Sequence, residues 1–319
     1  MKKISVVVPM YNESEVISTF TNELFKILDN LSNYLFEIIF VNDGSTDNTL
    51  DLMKIEQEKH SDIIIVNLSR NFGHEPAVAA GLHHVSGDAV IPMDADLQDP
   101  PSLIPEMIAK WEEGYEVVNA KRKSRKDDTI FKRKTAGLFY KIISKWSGKV
   151  KIPQNVGHFR LISKRVLEHV NSLEEVSRVF RVEVPFVGFK TTEVLFERPQ
   201  RAKGKTHYNI KSMNKLALDS IITTSTTPLT FITIMAVVTM IFTILSCVGE
   251  LSLFLVDIIG KFSILNGLYY MMWLILNVLL IVSSFIMLSL AIISQYNARA
   301  FAEAQNRPFY IVDNIIKKD

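Results

Sequence analysis

Two aspartates separated by one small residue are the side chains of this sequence best suited to chemistry. Asp94 and Asp96 follow the apolar run 89–92, which predicts a short buried strand. Open α/β sheets bind ligands at the carboxyl ends of their strands, so both carboxylates can face a site there. Hard oxygen ligands of this kind suit Mg²⁺ or Mn²⁺. By itself, the triplet is also compatible with an acidic loop that caps the helix predicted near Leu103.

Polar residues also follow the three strands predicted upstream of these aspartates. The strands cover residues 4–9, 36–41 and 63–68, and the segments after them are 11–13, 42–47 and 69–75. The first strand is separated from the second by a helix predicted over residues 14–28. This β-α-β alternation predicts the α/β class, with a doubly wound and mostly parallel sheet. In such a sheet all four polar segments meet at one edge.

Composition excludes several classes of protein. The chain has 319 residues and a net charge of +2, which is too small an excess for a nucleic-acid-binding protein. A single cysteine, Cys247, rules out a disulfide framework, and no signal peptide is expected at the N-terminus. The first strand is followed by a segment without glycine, residues 9–13, so a dinucleotide-binding oxidoreductase is excluded as well.

The C-terminal third has the composition of a membrane domain. Residues 221–249 and 262–298 contain no charged side chain, and each run exceeds the roughly 20 residues that a spanning helix needs. We predict spans at 229–249 and 269–293, preceded by an amphipathic interfacial helix. The predicted organisation is a catalytic domain over 1–209, the interfacial helix over 210–227, a two-span hairpin over 228–298 and a tail over 299–319. The distribution of lysine and arginine places both termini in the cytoplasm.

Four segments together resemble the family 2 glycosyltransferases of the GT-A fold, and in particular the polyprenyl-phosphate glycosyltransferases. The segments are Val8–Glu13, Asn42–Asp47, Ser69–Gly73 and Asp94–Asp99. Further likeness lies in Gly114–Val118, Lys121–Arg125, Val156–Leu161 and the two predicted spans, so the resemblance covers nearly the whole chain. Any one of these motifs is weak evidence, whereas the ordered set is specific.

The resemblance, together with the chemistry of the side chains, suggests roles on the donor side. Asp96 is the first choice for a metal ligand, Asp94 shares the metal or contacts the ribose, and Gln98 is a candidate further ligand. Asp43 accepts a hydrogen bond from the imide nitrogen of the base, and Arg70 approaches the base or the diphosphate. The nucleoside pocket is lined by Pro9, Tyr11 and Glu13.

The acceptor side is expected to be basic. Arg122 and Arg125 lie in a basic run after a predicted strand, and contact with phosphate is as reasonable for them as a solvated loop. Arg160 has the same two interpretations. Lys205 and His207 precede the predicted interfacial helix, where they would meet a lipid phosphate or anionic headgroups.

Three histidines depart from the pattern of the family. The polyprenyl-phosphate group has lysine at the positions of His74 and His207, and aspartate at the position of His158. His158 therefore has three interpretations: an altered ligand, a neutral group that binds the acceptor, or a sign of impaired catalysis.

The resemblance, together with the two predicted spans, implies metal-dependent, inverting transfer of a hexose from a nucleotide sugar to undecaprenyl phosphate at the cytoplasmic face of a bacterial inner membrane. UDP-glucose is the preferred donor and UDP-N-acetylglucosamine the next. The resemblance also implies a lipid-sugar flippase and an outward-facing glycosyltransferase as functional partners, and a homo-oligomer formed through the spans is compatible with the sequence. The alternatives are a processive polysaccharide synthase and a catalytically impaired, membrane-tethered module that binds nucleotide sugars.

Overall fold

The computed structural model describes residues 1–123, 155–173, 178–197 and 264–318, with Pro153 and scattered residues between 232 and 259. The chain forms two compact units, of which the first contains residues 1–223 and 306–319 and the second contains residues 224–305. The strands of the first unit are β1 (Lys2–Met10), β2 (Tyr34–Asn42), β3 (Ile63–Leu68), β4 (Ala89–Pro92), β5 (Val117–Arg122), β6 (Val156–Ser163), β7 (Thr191–Phe196) and β8 (Val312–Ile316). Its helices are α1 (Ile17–Leu28), α2 (Thr49–Lys59), α3 (His74–His83), α4 (Ile104–Glu112), α5 (Lys164–Asn171) and α6 (Phe180–Val187), with a short 3-10 turn at Pro101–Leu103.

The strands form one sheet in the order β7-β5-β6-β4-β1-β2-β3-β8. The pairs among β1, β2, β3 and β4 are parallel, as predicted, and so is β5 with β7. However, β6 runs antiparallel to both β4 and β5, and β8 runs antiparallel to β3. The sheet is therefore mixed, and the prediction of a mostly parallel sheet was too simple. Hydrophobic periodicity reports that a strand is buried, but it carries no information on the strand's direction.

Helices cover both faces of the sheet and produce two apolar layers. Alternate residues of a strand point to opposite faces, so Val6 and Val8 pack with α1, α2 and α4, whereas Val7 packs with α3, α5 and α6. The central strands are thus buried on both sides, which explains their continuous β-branched sequence. The strand order reverses between β1 and β4, and the carboxyl ends of β1, β2, β3 and β4 all open at one edge.

The C-terminal residues belong to this sheet, which the sequence had not indicated. β8 pairs with β3 over Ile65–Leu68, and Ser69 donates its N–H to the carbonyl of Ile311 at 3.0 Å. Gln57 of α2 donates through Nε2 to the carbonyls of Ile63 and Ile316, at 2.8 and 2.9 Å. β8 therefore covers an edge strand that would otherwise expose unpaired backbone groups.

The second unit contains a long apolar helix, α7 (Ile264–Ala304). Within it, Leu274–Ala304 is the one segment of the described chain with the length and composition of a membrane span. This segment overlaps the second predicted span. The interfacial helix predicted at 210–227 lies outside the described residues, and the first predicted span, 229–249, is described only in short helical runs. The structure accordingly supports one candidate membrane-spanning helix by length and composition, and the first predicted span stays a prediction.

Replacement of Gln57 by alanine should destabilise the first unit. The substitution removes the donor shared by the carbonyls of Ile63 and Ile316, and both acceptors lie next to the buried edge of the sheet. Unsatisfied buried groups of this kind cost about 1–3 kcal/mol. Thermal unfolding of the purified protein should therefore show a clear fall in Tm. Lys54→Ala, which removes an exposed ion pair on the same helix, should change Tm little. Equal effects of the two substitutions would contradict this role for Gln57.

Candidate functional site

The loops after β1 and β2 are tied together through Asn12. Asn12 adopts the left-handed conformation (φ 54°), which asparagine tolerates better than most residues. Its side-chain oxygen accepts the N–H of Thr46 at 2.8 Å, and its own N–H donates to Ser45 Oγ at 3.1 Å. Beside it, Glu13 donates its N–H to Thr49 Oγ1 at 2.9 Å. These contacts fix the backbone of the segment that carries Tyr11 and Glu13 against the end of β2.

Asp43, at the end of β2, fixes the loop that follows β3. Its two carboxylate oxygens accept the N–H groups of Phe72 and Gly73, at 2.7 and 3.0 Å. Burial raises the pKa of Asp43 to about 6, although these hydrogen bonds act in the opposite direction. The close packing also requires Gly44, because a Cβ there would lie 2.4 Å from the backbone of Arg70 and Asn71. Asp43 therefore holds the loop after β3 as a hydrogen-bond acceptor.

The two predicted metal-binding aspartates lie in a tight loop after β4. Leu97 holds the left-handed conformation (φ 59°), which is costly for a side chain of this shape. Asp96 Oδ1 accepts the N–H of Gln98 at 3.0 Å, and Asp99 Oδ2 accepts the N–H of Asp94 at 3.4 Å. Asp96 is 4% exposed, whereas the side chain of Asp94 is 36% exposed. Asp94 is therefore the more accessible of the two carboxylates.

The donor set of this loop suits a hard divalent cation. Asp94, Asp96 and Gln98 offer carboxylate and amide oxygens, which Mg²⁺ and Mn²⁺ prefer. Within the described part of the chain, no three histidine, cysteine, aspartate or glutamate side chains are close enough to hold a metal.

The first residues of α3 join this loop to the remainder of the site. His74 Nε2 lies 3.7 Å from Asp94 Oδ1. The next residue, Glu75, accepts a hydrogen bond from His158 Nε2 at 2.8 Å and another from the N–H of Phe180 at 3.1 Å. Burial alone would raise the pKa of Glu75, but the charge and hydrogen bond of His158 outweigh it and lower the pKa to about 2. Glu75 is therefore ionised at neutral pH.

Arg160 provides a buried positive charge next to His158. His158 and Arg160 lie on the same face of β6, and Phe180 packs against both, with its ring 5.3 Å from the guanidinium carbon of Arg160. Arg160 is fully buried, and its Nη2 donates to the carbonyl of Gly157 at 2.7 Å. Its Nε and Nη1, like Nε of Arg181, have no hydrogen-bond partner among the groups described. Burial and the charge of Arg181 lower the pKa of Arg160 to about 9. Such a group favours an anionic ligand.

The other predicted site residues fall into two groups: four lie at or just after the ends of strands β1, β3 and β5, and three lie outside the described residues. Pro9 is buried at the end of β1 and Tyr11 is half-buried in the following loop. Arg70 stacks on the ring of Phe72, 3.9 Å from its centroid, and donates to the carbonyl of Asn71. Arg122 lies at the end of β5, where its N–H donates to Asn155 just before β6. Three predicted residues lie outside the described part of the chain: Arg125, Lys205 and His207.

Four residues of the site were not predicted: Glu75, Asp99, Phe180 and Arg181. Glu75 lies in the polar segment 69–75 and Asp99 in the motif Asp94–Asp99, but in sequence they look like the acidic residue of a helix N-terminus and a loop cap. Phe180 and Arg181 lie 105 and more residues beyond Glu75, and no local pattern marks them. Their proximity is visible only after α6 has packed against β6.

The family profile and the relatives that match this chain all describe glycosyltransferases. The profile of glycosyl transferase family 2 matches residues 5–170. The uncharacterized glycosyltransferase YkcC of Bacillus subtilis is 39% identical over 97% of this chain and 92% of its own length. A prophage bactoprenol glucosyl transferase homolog of Escherichia coli is 36% identical over 99% of this chain and 100% of its own. The bactoprenol glucosyl transferase of Shigella phage SfV is 36% identical over 98% of each chain.

Solved structures give the same fold. Glucosyl-3-phosphoglycerate synthase from Mycobacterium tuberculosis, in complex with Mn²⁺, UDP-glucose and phosphoglyceric acid, superposes with a TM-score of 0.51 at 19% identity. The match covers 70% of this chain and 79% of that one. At this level of identity the likeness concerns the fold alone, and it confirms the GT-A-like architecture.

The raised pKa of Asp43 predicts a pH-dependent contribution to stability. A carboxyl that titrates near 6 in the folded protein and near 3.8 in the unfolded chain stabilises the fold most below pH 4, and this contribution is lost as the pH rises to 6. Asp43→Asn removes the titration. As the pH rises from 4.5 to 6.5, the Tm of the native protein should therefore fall relative to the Tm of this variant, and above pH 6.5 the difference should level off. A difference that is constant across this range would show that Asp43 does not titrate there.

Proposed function

The chain belongs to glycosyl transferase family 2, and we propose that it transfers glucose from UDP-glucose to a polyprenyl phosphate at the cytoplasmic face of a bacterial membrane. The glucosyl group and the undecaprenyl acceptor are suggested by relatives named bactoprenol glucosyl transferase that match nearly the full chain. UDP-N-acetylglucosamine is the alternative donor. The two sugars differ at one ring position, and discrimination between them depends on the shape of the sugar pocket.

The observation that carries the proposal is the juxtaposition of an acidic and a cationic region. Asp94 and Asp96 form the acidic region, and His158 with Arg160 forms the cationic one. His74 and Glu75, which are adjacent in sequence, contact one region each. A glycosyl transfer between two phosphate-bearing substrates needs this combination, because one phosphate group leaves as the other arrives.

On the donor side, the chain holds the nucleotide at the carboxyl edge of the sheet. We assign Pro9, Tyr11, Glu13 and Asp43 to the nucleoside, with Arg70 near the base or diphosphate. Asp94, Asp96 and Gln98 would hold Mg²⁺ or Mn²⁺, which when bound neutralises charge on the departing diphosphate. The rigid loop around Leu97 keeps the carboxylates in place before the substrate arrives, so little reorganisation is required during the reaction.

On the acceptor side, a phosphate ester supplies its own nucleophile. The second pKa of a phosphate monoester is about 6, so the oxyanion is present near neutral pH and no strong base is required. An acceptor oxygen forms a bond to the anomeric carbon as the bond from that carbon to the diphosphate oxygen breaks, and the electron pair leaves with UDP. The displacement inverts the anomeric configuration. The charge of Arg160 and the ring of His158 attract and orient the acceptor phosphate, which explains why His158 is compatible with turnover.

The position of β8 supports a membrane hairpin. The strands within Lys2–Phe196 and β8 at Val312–Ile316 lie in one hydrogen-bonded sheet, and a sheet cannot lie on both sides of a bilayer. The intervening chain must therefore cross the membrane an even number of times. If Leu274–Ala304 crosses once, a second crossing is needed upstream, where the uncharged segment 229–249 is available. We propose two spans with both termini in the cytoplasm, as expected from the charge distribution.

A donor panel tests the reaction. The purified chain is incubated with undecaprenyl phosphate and radiolabelled UDP-glucose, UDP-N-acetylglucosamine or GDP-mannose. Label should appear in the lipid fraction with UDP-glucose, disappear with excess chelator and return with Mg²⁺ or Mn²⁺. Asp96→Ala should reduce transfer by at least about a hundredfold, since removal of one electrostatic contact to developing charge typically costs that much.

Asp51→Ala, on the exposed side of α2, serves as the matched aspartate control and should transfer glucose at the native rate. Lipid-linked product from a different sugar nucleotide, and none from UDP-glucose, would show that the proposed donor is wrong. Absence of lipid-linked product from all three donors, in protein that is folded and binds UDP, would favour the non-catalytic module. Undiminished transfer in excess chelator would show that the reaction does not require a divalent metal ion.

Cysteine labelling tests the even number of crossings. In a Cys247→Ser background, single cysteines are introduced at Ser61 and Asn306, one in each of the two segments that share the sheet, and at Ser252 between the two spans. An impermeant reagent added to intact cells should label the Ser252 variant and spare the other two. Labelling of the Asn306 variant with protection of the Ser61 variant would indicate an odd number of crossings and would contradict the hairpin.

A further inference from the structure

Glu75 is a largely buried carboxylate with no place in the reaction described so far. It lies on the first turn of α3 and uses both oxygens, one for His158 Nε2 at 2.8 Å and one for the N–H of Phe180 at 3.1 Å. We propose that Glu75 is a positioning residue that orients His158 toward the acceptor phosphate. This inference rests on the proposed function, since it requires a phosphate acceptor.

The ring of His158 is held on three sides. Glu75 binds its Nε2, Phe180 stacks on its face with an angle of 13° between the rings, and His74 meets it edge-on at 4.7 Å between centroids. With Nε2 occupied, Nδ1 is the ring nitrogen that remains for a ligand. The side chain of His158 is 11% exposed, so a ligand can reach it only from a restricted direction. A single hydrogen bond at Nε2 thus determines which atom the acceptor meets.

The charges around the pair fit an anionic acceptor. The charges with the largest effect on Glu75 and Arg160 belong to the basic side chains His158, His74 and Arg181, beside the carboxylate of Glu75 itself. The negative charge of Glu75 offsets a positive charge on His158, which leaves the buried guanidinium of Arg160 to attract the phosphate. With Nε2 bound to Glu75, Nδ1–H is the His158 donor available to a phosphate oxygen that does not react.

This arrangement also gives a physical account of the histidine at position 158. The resemblance to polyprenyl-phosphate glycosyltransferases leads one to expect an aspartate there. In this chain the carboxylate belongs instead to Glu75. We place the imidazole of His158 between that carboxylate and the acceptor phosphate. The pair places a hydrogen-bonding nitrogen, rather than a like charge, beside the incoming phosphate.

A double-mutant cycle tests whether Glu75 acts through His158. Glu75→Gln should lower kcat/KM for undecaprenyl phosphate about tenfold, chiefly through KM, and His158→Ala about ten- to a hundredfold. In the His158→Ala background, Glu75→Gln should cause no further loss, because the residue it positions is absent. KM for UDP-glucose should stay within about twofold in all three variants. Additive losses would show that Glu75 acts through the fold, by its contact with Phe180, and would overturn the proposal.

Glu37→Gln is the matched control. Glu37 is also a buried carboxylate with several hydrogen bonds, to Ser5 and Ser86, but it lies near the amino ends of the strands. This variant should lower Tm without a change in KM for the acceptor. In the double variant with His158→Ala, the fall in Tm caused by Glu37→Gln should be the same as in the native background.

Nitrogen NMR of the native protein provides a second readout that does not depend on the folding of the Glu75 variant. With [¹⁵N]histidine labelling, the ring signals of His158 are identified by their absence in His158→Ala. Addition of farnesyl phosphate, a short-chain lipid phosphate, should shift the Nδ1 signal far more than the Nε2 signal. No shift at Nδ1 would overturn the proposal. If the native chain transfers glucose to lipid phosphate but fails these tests, the role of Glu75 is wrong while the proposed function stands.

Discussion

The start of α3 is the constraint on which the site depends. Three consecutive residues, Gly73, His74 and Glu75, contact Asp43, Asp94 and His158 in turn. These partners come from the ends of β2 and β4 and from β6, which are distant in sequence. Because these three residues are consecutive on one helical turn, a displacement of α3 would disturb all three contacts together, and with them the proposed nucleoside, metal and acceptor regions. The hydrogen bond from Gly73 to the buried carboxylate of Asp43 fixes this turn to the sheet.

Buried carboxylates perform two different tasks in this structure. Asp43, Asp96 and Asp99 accept backbone N–H groups and so hold loops in conformations that would otherwise be strained, as at Leu97. Glu75 accepts from a side chain and from a backbone N–H, and therefore couples a functional group to the fold. Preorganised polar groups of this kind suit a transfer between two phosphates, in which charge moves from the acceptor to the departing diphosphate.

The C-terminal tail returns the chain from the second unit to the sheet of the first unit. β8 occupies the edge of the sheet beside β3, and the loop after β3 carries Arg70 and leads into α3. The chain that leaves the catalytic unit for the second unit thus returns to the same sheet. The pairing of β8 covers a strand edge that would otherwise be exposed, and in the proposed membrane topology it also holds the first unit on one side of the bilayer.

The sequence by itself determined the α/β class, the four polar loops at one sheet edge, the family and the apolar C-terminal region, because each is written in local periodicity, composition or contiguous motifs. Tertiary structure alone decided that β6 and β8 run antiparallel, that Glu75 meets His158, and that Phe180 lies against Arg160. These contacts join residues that are 20 positions apart at Arg160 and Phe180, 83 apart at Glu75 and His158, and about 250 apart between β3 and β8. A pattern within a few residues cannot encode such partners. The contact between Glu75 and His158 also changes how His158 is interpreted, from a missing acid to one half of a pair.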